Sequence, residues 1–163
     1  MNFRNSGTFE RGDLCRKSRE QANVSIPVIA EFLKLSTRMI DFYEAGESPV
    51  PDDKLLKMAE LYGDPLLPWN YWTINSPIAK HYGFKPFTDK TIYSAAIEAG
   101  NSFNVISRDR EDFMVIMEDG RIDDNERPKY EEIVGASKKA SLAVLFLDLI
   151  LNRKEKTALQ EAV

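Results

Sequence analysis

Apolar positions along the chain recur at helical rather than alternating spacing, so the sequence predicts an all-α fold with no strand of any length. A first helix falls at about residues 9–22, with Leu14, Ser18 and Ala22 along one side. Ser25 then stands as an N-cap, and Pro27 follows in the first turn, where its missing N–H costs nothing. The second helix, 26–33, turns Ile29, Ala30 and Leu33 inward. Ser36 caps a third, 37–45, with Ile40 and Tyr43 inward and Gly46 just past its end, where positive φ is free. "SPVPDD" is a turn ending in a cap at Pro51–Asp52. A fourth helix, 53–62, carries Leu55, Leu56, Met58, Ala59 and Leu61 until "GDP" stops it.

After a connector rich in proline and aromatics the rhythm changes. From Thr88 onward, Ile92, Ala96, Ala99, Phe103, Ile106, Phe113 and Met117 follow a 4,3 repeat, with Arg110 in the one gap. That is a heptad seam. Gly100 lies inside it without shifting the phase, which predicts one long helix. "EDGRIDDNE" is a turn with Gly120 in the left-handed region. The next helix starts from Asp124, with Arg127 at its third position, or from Asp123, with Glu126 there as a capping box. It repeats the rhythm through Tyr130, Ile133, Ser137, Ala140, Val144, Leu147 and Leu151. Two seams joined by a short polar turn make an antiparallel helical hairpin.

The last helix carries an apolar surplus off that seam, at Leu142, Leu145, Phe146, Leu149 and Ile150. A helix apolar almost all round needs cover on more than one side. The cover is either the first domain or a second copy, and a symmetric homodimer is the commonest solution. The resulting division is a first domain at 1–66, a connector at 67–87 and a hairpin domain at 88–163. Trp69, Tyr71 and Trp72 in the connector are large apolar groups with polar handles, suited to gluing the first domain to the later part of the chain.

Composition narrows the function. The chain has 163 residues, room for one domain or two small ones. Its most apolar run, Leu142–Leu151, is about half a bilayer span and contains Asp148, so no membrane association is expected. "MNFRNSGTFERGD" lacks the apolar core of a secretory leader, and the single cysteine, Cys15, fits a reducing cytoplasm. His81 is the only histidine and "DGRIDD" lacks the alternating acids of a calcium loop, so no metal is expected. No glycine-rich phosphate loop, nucleophile elbow, His–Glu pair or Cys–His dyad is present, and neither an enzyme, a cofactor nor a small-molecule ligand is expected. Net charge is −4, but it is uneven: residues 1–40 carry seven cations against four acids, and residues 41–64 two against seven. An acidic total weakens non-specific attraction to phosphate without abolishing a local basic patch.

The stretches "SIPVIAEFLKLSTRMIDFYEAGE" and "VPDDKLLKMAELYGDP" resemble the DNA-binding domain of Cro/CI-like (XRE-type) helix-turn-helix regulators of bacteria and mobile elements. The matching positions are Ser25, Ile29, Ala30, Leu35, Ser36, Ile40 and Tyr43 to Gly46, within residues 9–64. The resemblance implies a lambda-repressor-like bundle of five short helices. It also implies an ion pair between Arg19 and Glu44. One position departs: the glutamine that usually opens the second helix on the DNA backbone is Ile26 here. That lowers the affinity of a single domain and makes a dimer more necessary. More loosely, "MAELYGDPLLPWNYW", "SPIAKHY" and "DGRID" resemble a group of such regulators whose relatives carry cysteines near the "SPI" segment, where this chain runs from Thr73 to Ser76.

In a helix-turn-helix the second helix enters the major groove with its N-terminal residues on base edges. The outward positions are Thr37, Arg38, Asp41 and Phe42, with Met39 partly outward. Arg38 suits guanine or a phosphate; Thr37 a phosphate or a thymine methyl; Ser25 and Ser36 phosphates at helix N-termini. Asp41 can accept from cytosine N4 or fix Arg38 across one turn, and Phe42 can pack on a thymine methyl or against Pro49. The leading expectation is a dimeric, sequence-specific transcription regulator on an inverted repeat. The alternative is a protein-interaction module, antitoxin-like or anti-repressor-like, with the same fold and no DNA binding.

Overall fold

The computed structural model describes the backbone of residues 6–161 and the side chains of residues 10–151. The expectation of no secretory leader rests partly on residues 1–5, outside that range. Among the described residues every regular element is an α-helix, and no helix is long and apolar enough to cross a membrane. The chain divides into two compact units, residues 1–88 and 89–163.

The first unit holds α1 (Ser6–Gln21), α2 (Ile26–Leu33), α3 (Thr37–Glu44), α4 (Asp52–Tyr62), α5 (Leu67–Thr73) and α6 (Pro77–His81). Its core is built from Cys15, Ile29, Leu33, Ile40, Met58 and Leu67, all fully buried. The inward positions expected on α2 and α3 are those that are buried. Lys34 ends α2 in the left-handed region at φ 55°, and Gly46 follows α3 at φ 67°. The Ser18 hydroxyl donates to Asp64 at 2.8 Å, tying α1 to the end of α4.

The segment expected as a connector folds into this unit. α5 packs on α1 and α4. The buried Tyr71 hydroxyl accepts from the Val50 N–H at 2.8 Å. Trp69 donates to the Lys85 carbonyl at 3.0 Å and stacks on Phe87 at 5.1 Å. These aromatics close the first unit on itself: Trp69 finds its partners within residues 69–87, and Tyr71 holds Val50 by its hydroxyl and lies under the Arg11 guanidinium of α1, 5.4 Å from its ring centroid.

The second unit holds α7 (Ile92–Arg108), α8 (Arg110–Ile116) and α9 (Arg127–Glu161). The expected single long helix is broken at Asp109, and Gly100 is not the weak point. Asp109 is buried. Its carboxylate accepts from Arg108 at 2.8 and 2.7 Å and pairs with Lys129 at 2.9 Å. These cations hold its carboxyl pKa well below the usual carboxylate range. The backbone at Asp109 stands at φ −103°, ψ 15°, beside the one gap in the apolar rhythm. Asp123, rather than Asp124, starts α9: it accepts from the Glu126 N–H at 2.9 Å while Glu126 accepts from the Asp123 N–H at 3.1 Å. Gly120 is left-handed at φ 69°.

The expected seam is displaced. Buried positions are Ala95, Ala99, Ser102, Asp109 and Ile116 on one side and Ile133, Ala136, Ala140, Ala143 and Phe146 on the other. Ala99, Ile133 and Ala140 were anticipated, whereas Ile92, Phe103, Met117, Val144 and Leu151 are exposed. Small side chains let two helices approach closely, so alanine and serine line the contact and the larger residues one step further round stay outside. Leu142, Leu145, Leu149 and Ile150, expected to meet a second copy, are half-buried, and Phe146 is only 2% exposed.

Candidate nucleic-acid interface

α2 and α3 are joined by three residues, Lys34–Leu35–Ser36, and the N-terminal end of α3 is the exposed end of the pair. The Ser36 side chain accepts from the Met39 N–H at 3.2 Å, so the helix begins sharply. Ser36, Thr37, Arg38 and Asp41 are exposed. Met39 is half-buried and packs on the core. Ser25 lies exposed at the start of α2, and its side chain makes no cap bond, which leaves the hydroxyl to other acceptors.

Arg38 does not pair with Asp41. Its guanidinium lies over the Phe42 ring, 5.2 Å from the centroid, and it has no carboxylate partner among the described residues. A ring beneath a guanidinium restrains its direction without consuming its N–H donors. Phe42 is half-buried, so the platform is itself anchored.

Two contacts hold α3 from behind. Arg19 Nε donates to Glu44 Oε1 at 2.6 Å and Nη2 to Oε2 at 2.9 Å, while Nη1 donates to the Val24 carbonyl at 2.9 Å. Both side chains are nearly buried, and bonding to Glu44 raises the guanidinium's proton affinity further. A fork on a carboxylate fixes orientation as well as distance. The second contact is at Gly12. A β-carbon there would lie 2.6 Å from the Gly46 nitrogen and 2.7 Å from the Glu44 and Tyr43 carbonyl oxygens. α1 thus crosses the end of α3 backbone against backbone.

Cys15 lies fully buried in the same region. Burial, with the Glu44 charge, pushes its thiol up to about 12. Such a thiol stays protonated and unreactive at neutral pH. The Tyr62 hydroxyl is buried without a hydrogen-bond partner, and burial raises it well above the tyrosine range.

Gly12, the Arg38–Phe42 stack and the Tyr71–Val50 bond were not anticipated. The glycine and the tyrosine act across 34 and 21 residues of sequence, where no spacing rule reaches; the Arg38–Phe42 spacing of four was a readable signal. Val28 and Phe32 also stand out, 49% and 44% exposed one turn apart on the outer side of α2. Compared with protein-family models, curated proteins and solved structures, the chain matches none.

Proposed function

We propose that this chain is a sequence-specific, DNA-binding regulator of transcription, built on a lambda-repressor-like arrangement of α1 to α5. It acts in the cytoplasm as a homodimer on an inverted repeat and binds rather than catalyses. The observation that carries this reading is the state of Arg38: exposed at the N-terminal end of α3, stacked on Phe42 and uncommitted to any acid, on a helix locked by Arg19, Glu44 and Gly12. A side chain so placed can give both donors to guanine, and Ser25, Ser36 and Thr37 can hold phosphates beside it. Selection of bound sequences from a random duplex pool by the full-length protein tests this. An inverted repeat with half-sites about one helical turn apart is expected to enrich. Affinity should fall steeply with salt, and Arg38→Ala should weaken the selected site by about 1–3 kcal/mol.

One observation favours a second reading. The Val28–Phe32 strip, with the acidic total, suits a protein partner better than a phosphate backbone. In that case no duplex enriches even at low salt, and Val28→Lys abolishes capture of a protein partner while Arg38→Ala does not.

A further inference from the structure

The first unit holds a cleft of about 400 Å³, to which α1, the turn before α4, α4 and α5 all contribute. That size falls within the roughly 300–1,000 Å³ of small-molecule sites. Its buried lining is apolar, from Val50, Leu55 and the Tyr71 ring. Leu56 and Trp72, also lining it, are 61% and 41% exposed. A leucine and a tryptophan left in water beside a concave apolar surface offer cover to an apolar body that enters it.

Two opposite charges line the same cleft, Arg11 from α1 and Asp52 from the first turn of α4. They do not pair with each other, and neither has another ion-pair partner among the described residues. The Arg11 guanidinium is nonetheless positioned. Its Nε donates to the Ile74 carbonyl at 3.3 Å, and the group lies over the Tyr71 ring. The two terminal nitrogens keep their donors. The Tyr71 hydroxyl accepts from the Val50 N–H at 2.8 Å, and its own proton has no acceptor among the described residues. Burial holds this phenol above the usual tyrosine range, so it stays a donor, and the charges of both Arg11 and Asp52 are felt there. A cation, an anion and a neutral donor thus gather on one apolar cleft.

We propose that the cleft binds an apolar α-amino acid, with its carboxylate on Arg11 and the Tyr71 hydroxyl, its ammonium on Asp52 and its side chain against Leu56 and Trp72. Each part of the ligand answers to a different group. The guanidinium fork matches a planar carboxylate with two donors. Asp52 repels a second negative charge, which disfavours phosphate esters and dicarboxylates, and it gives the ammonium an acceptor. The apolar lining leaves a polar side chain without partners. Arg11, Asp52 and Tyr71 come from three helices, so no local motif announces the ligand. The proposal goes beyond the regulator reading and rests on no DNA contact.

The test titrates L-phenylalanine, hydrocinnamate and phenethylamine, the last two each lacking one charge, into isotope-labelled full-length protein at millimolar concentrations. The indole N–H resonance of Trp72, identified by its loss in Trp72→Phe, reports on the cleft. Phenylalanine should give a saturable shift, and each of the other two should bind more weakly by about tenfold or more. Arg11→Gln should weaken phenylalanine and hydrocinnamate and leave phenethylamine unchanged. Asp52→Asn, at an exposed side chain, should weaken phenylalanine and phenethylamine and leave hydrocinnamate no weaker. No saturable shift with phenylalanine overturns the proposal. So does equal binding of all three probes, or binding that both charge substitutions leave unaltered, since an apolar surface alone behaves that way.

Discussion

A methyl group is the smallest change that probes how α3 is held. In an exposed helix, glycine to alanine stabilises by up to about 1 kcal/mol. At Gly12 the added carbon would lie inside contact distance of three backbone atoms, none of which can swing away. Gly12→Ala is therefore expected to destabilise by about 2 kcal/mol or more, read as a lower urea midpoint with unchanged slope. A stabilised variant would show that α1 does not press on α3. Cys15 offers a pH probe of the same region. Its folded value of about 12 is raised above the ordinary 9.0. A raised value means its contribution is complete below pH 9 and is lost as pH rises toward 12, because only the unfolded chain ionises there. Stability should fall by up to about 4 kcal/mol across that window, followed by chemical denaturation at stepped pH. Cys15→Ala should delay the onset to near pH 10, where Tyr62 and Tyr71, also raised, take over.

Elements show which information is local. The Ser36 cap of α3, the start of α2 after Ser25, the inward residues Ile29, Leu33, Ile40 and Tyr43, and the left-handed Gly46 and Gly120 were legible because each depends on neighbours within about four residues, whereas the cap of α9 was narrowed only to Asp123 or Asp124. The hairpin seam was legible only in part. Apolar size picked out Phe103 and Val144, but the distance between two helices is decided by both together, and Ala136, Ala140 and Ala143 set it. The break at Asp109 was hidden for a similar reason: the Lys129 that pairs with its buried carboxylate lies on another helix. Phe42 separates the two levels. Its identity is plain in the sequence; its use, as a platform for Arg38, is not. Phe42→Leu keeps an apolar anchor and removes the ring. It is expected to weaken the selected duplex by about 0.5–1 kcal/mol, with little change in thermal stability. In an Arg38→Ala background the further loss should vanish, since the two effects share one contact. An undiminished loss in that background would mean that Phe42 touches DNA itself.

At the scale of the whole molecule, the proposed regulator divides affinity and specificity between two units. In that reading Ile26 leaves the first unit short of one backbone contact, and the acidic total weakens non-specific attraction to phosphate. A single head should hold a half-site weakly. In the proposed reading the contribution of the second unit is to make the second contact intramolecular. Residues 1–88 carry their own core and their own aromatic closure through Trp69, Tyr71 and Phe87, so a fragment ending at Thr88 is expected to fold cooperatively alone. It should bind an isolated half-site as well as the full-length chain does. On the complete inverted repeat the full-length protein should win by about 10²–10⁴. Titration of labelled half-site and full-site duplexes against both proteins measures this directly. If the fragment equals the full-length chain on the repeat, the heads act independently and the second unit serves something other than operator recognition.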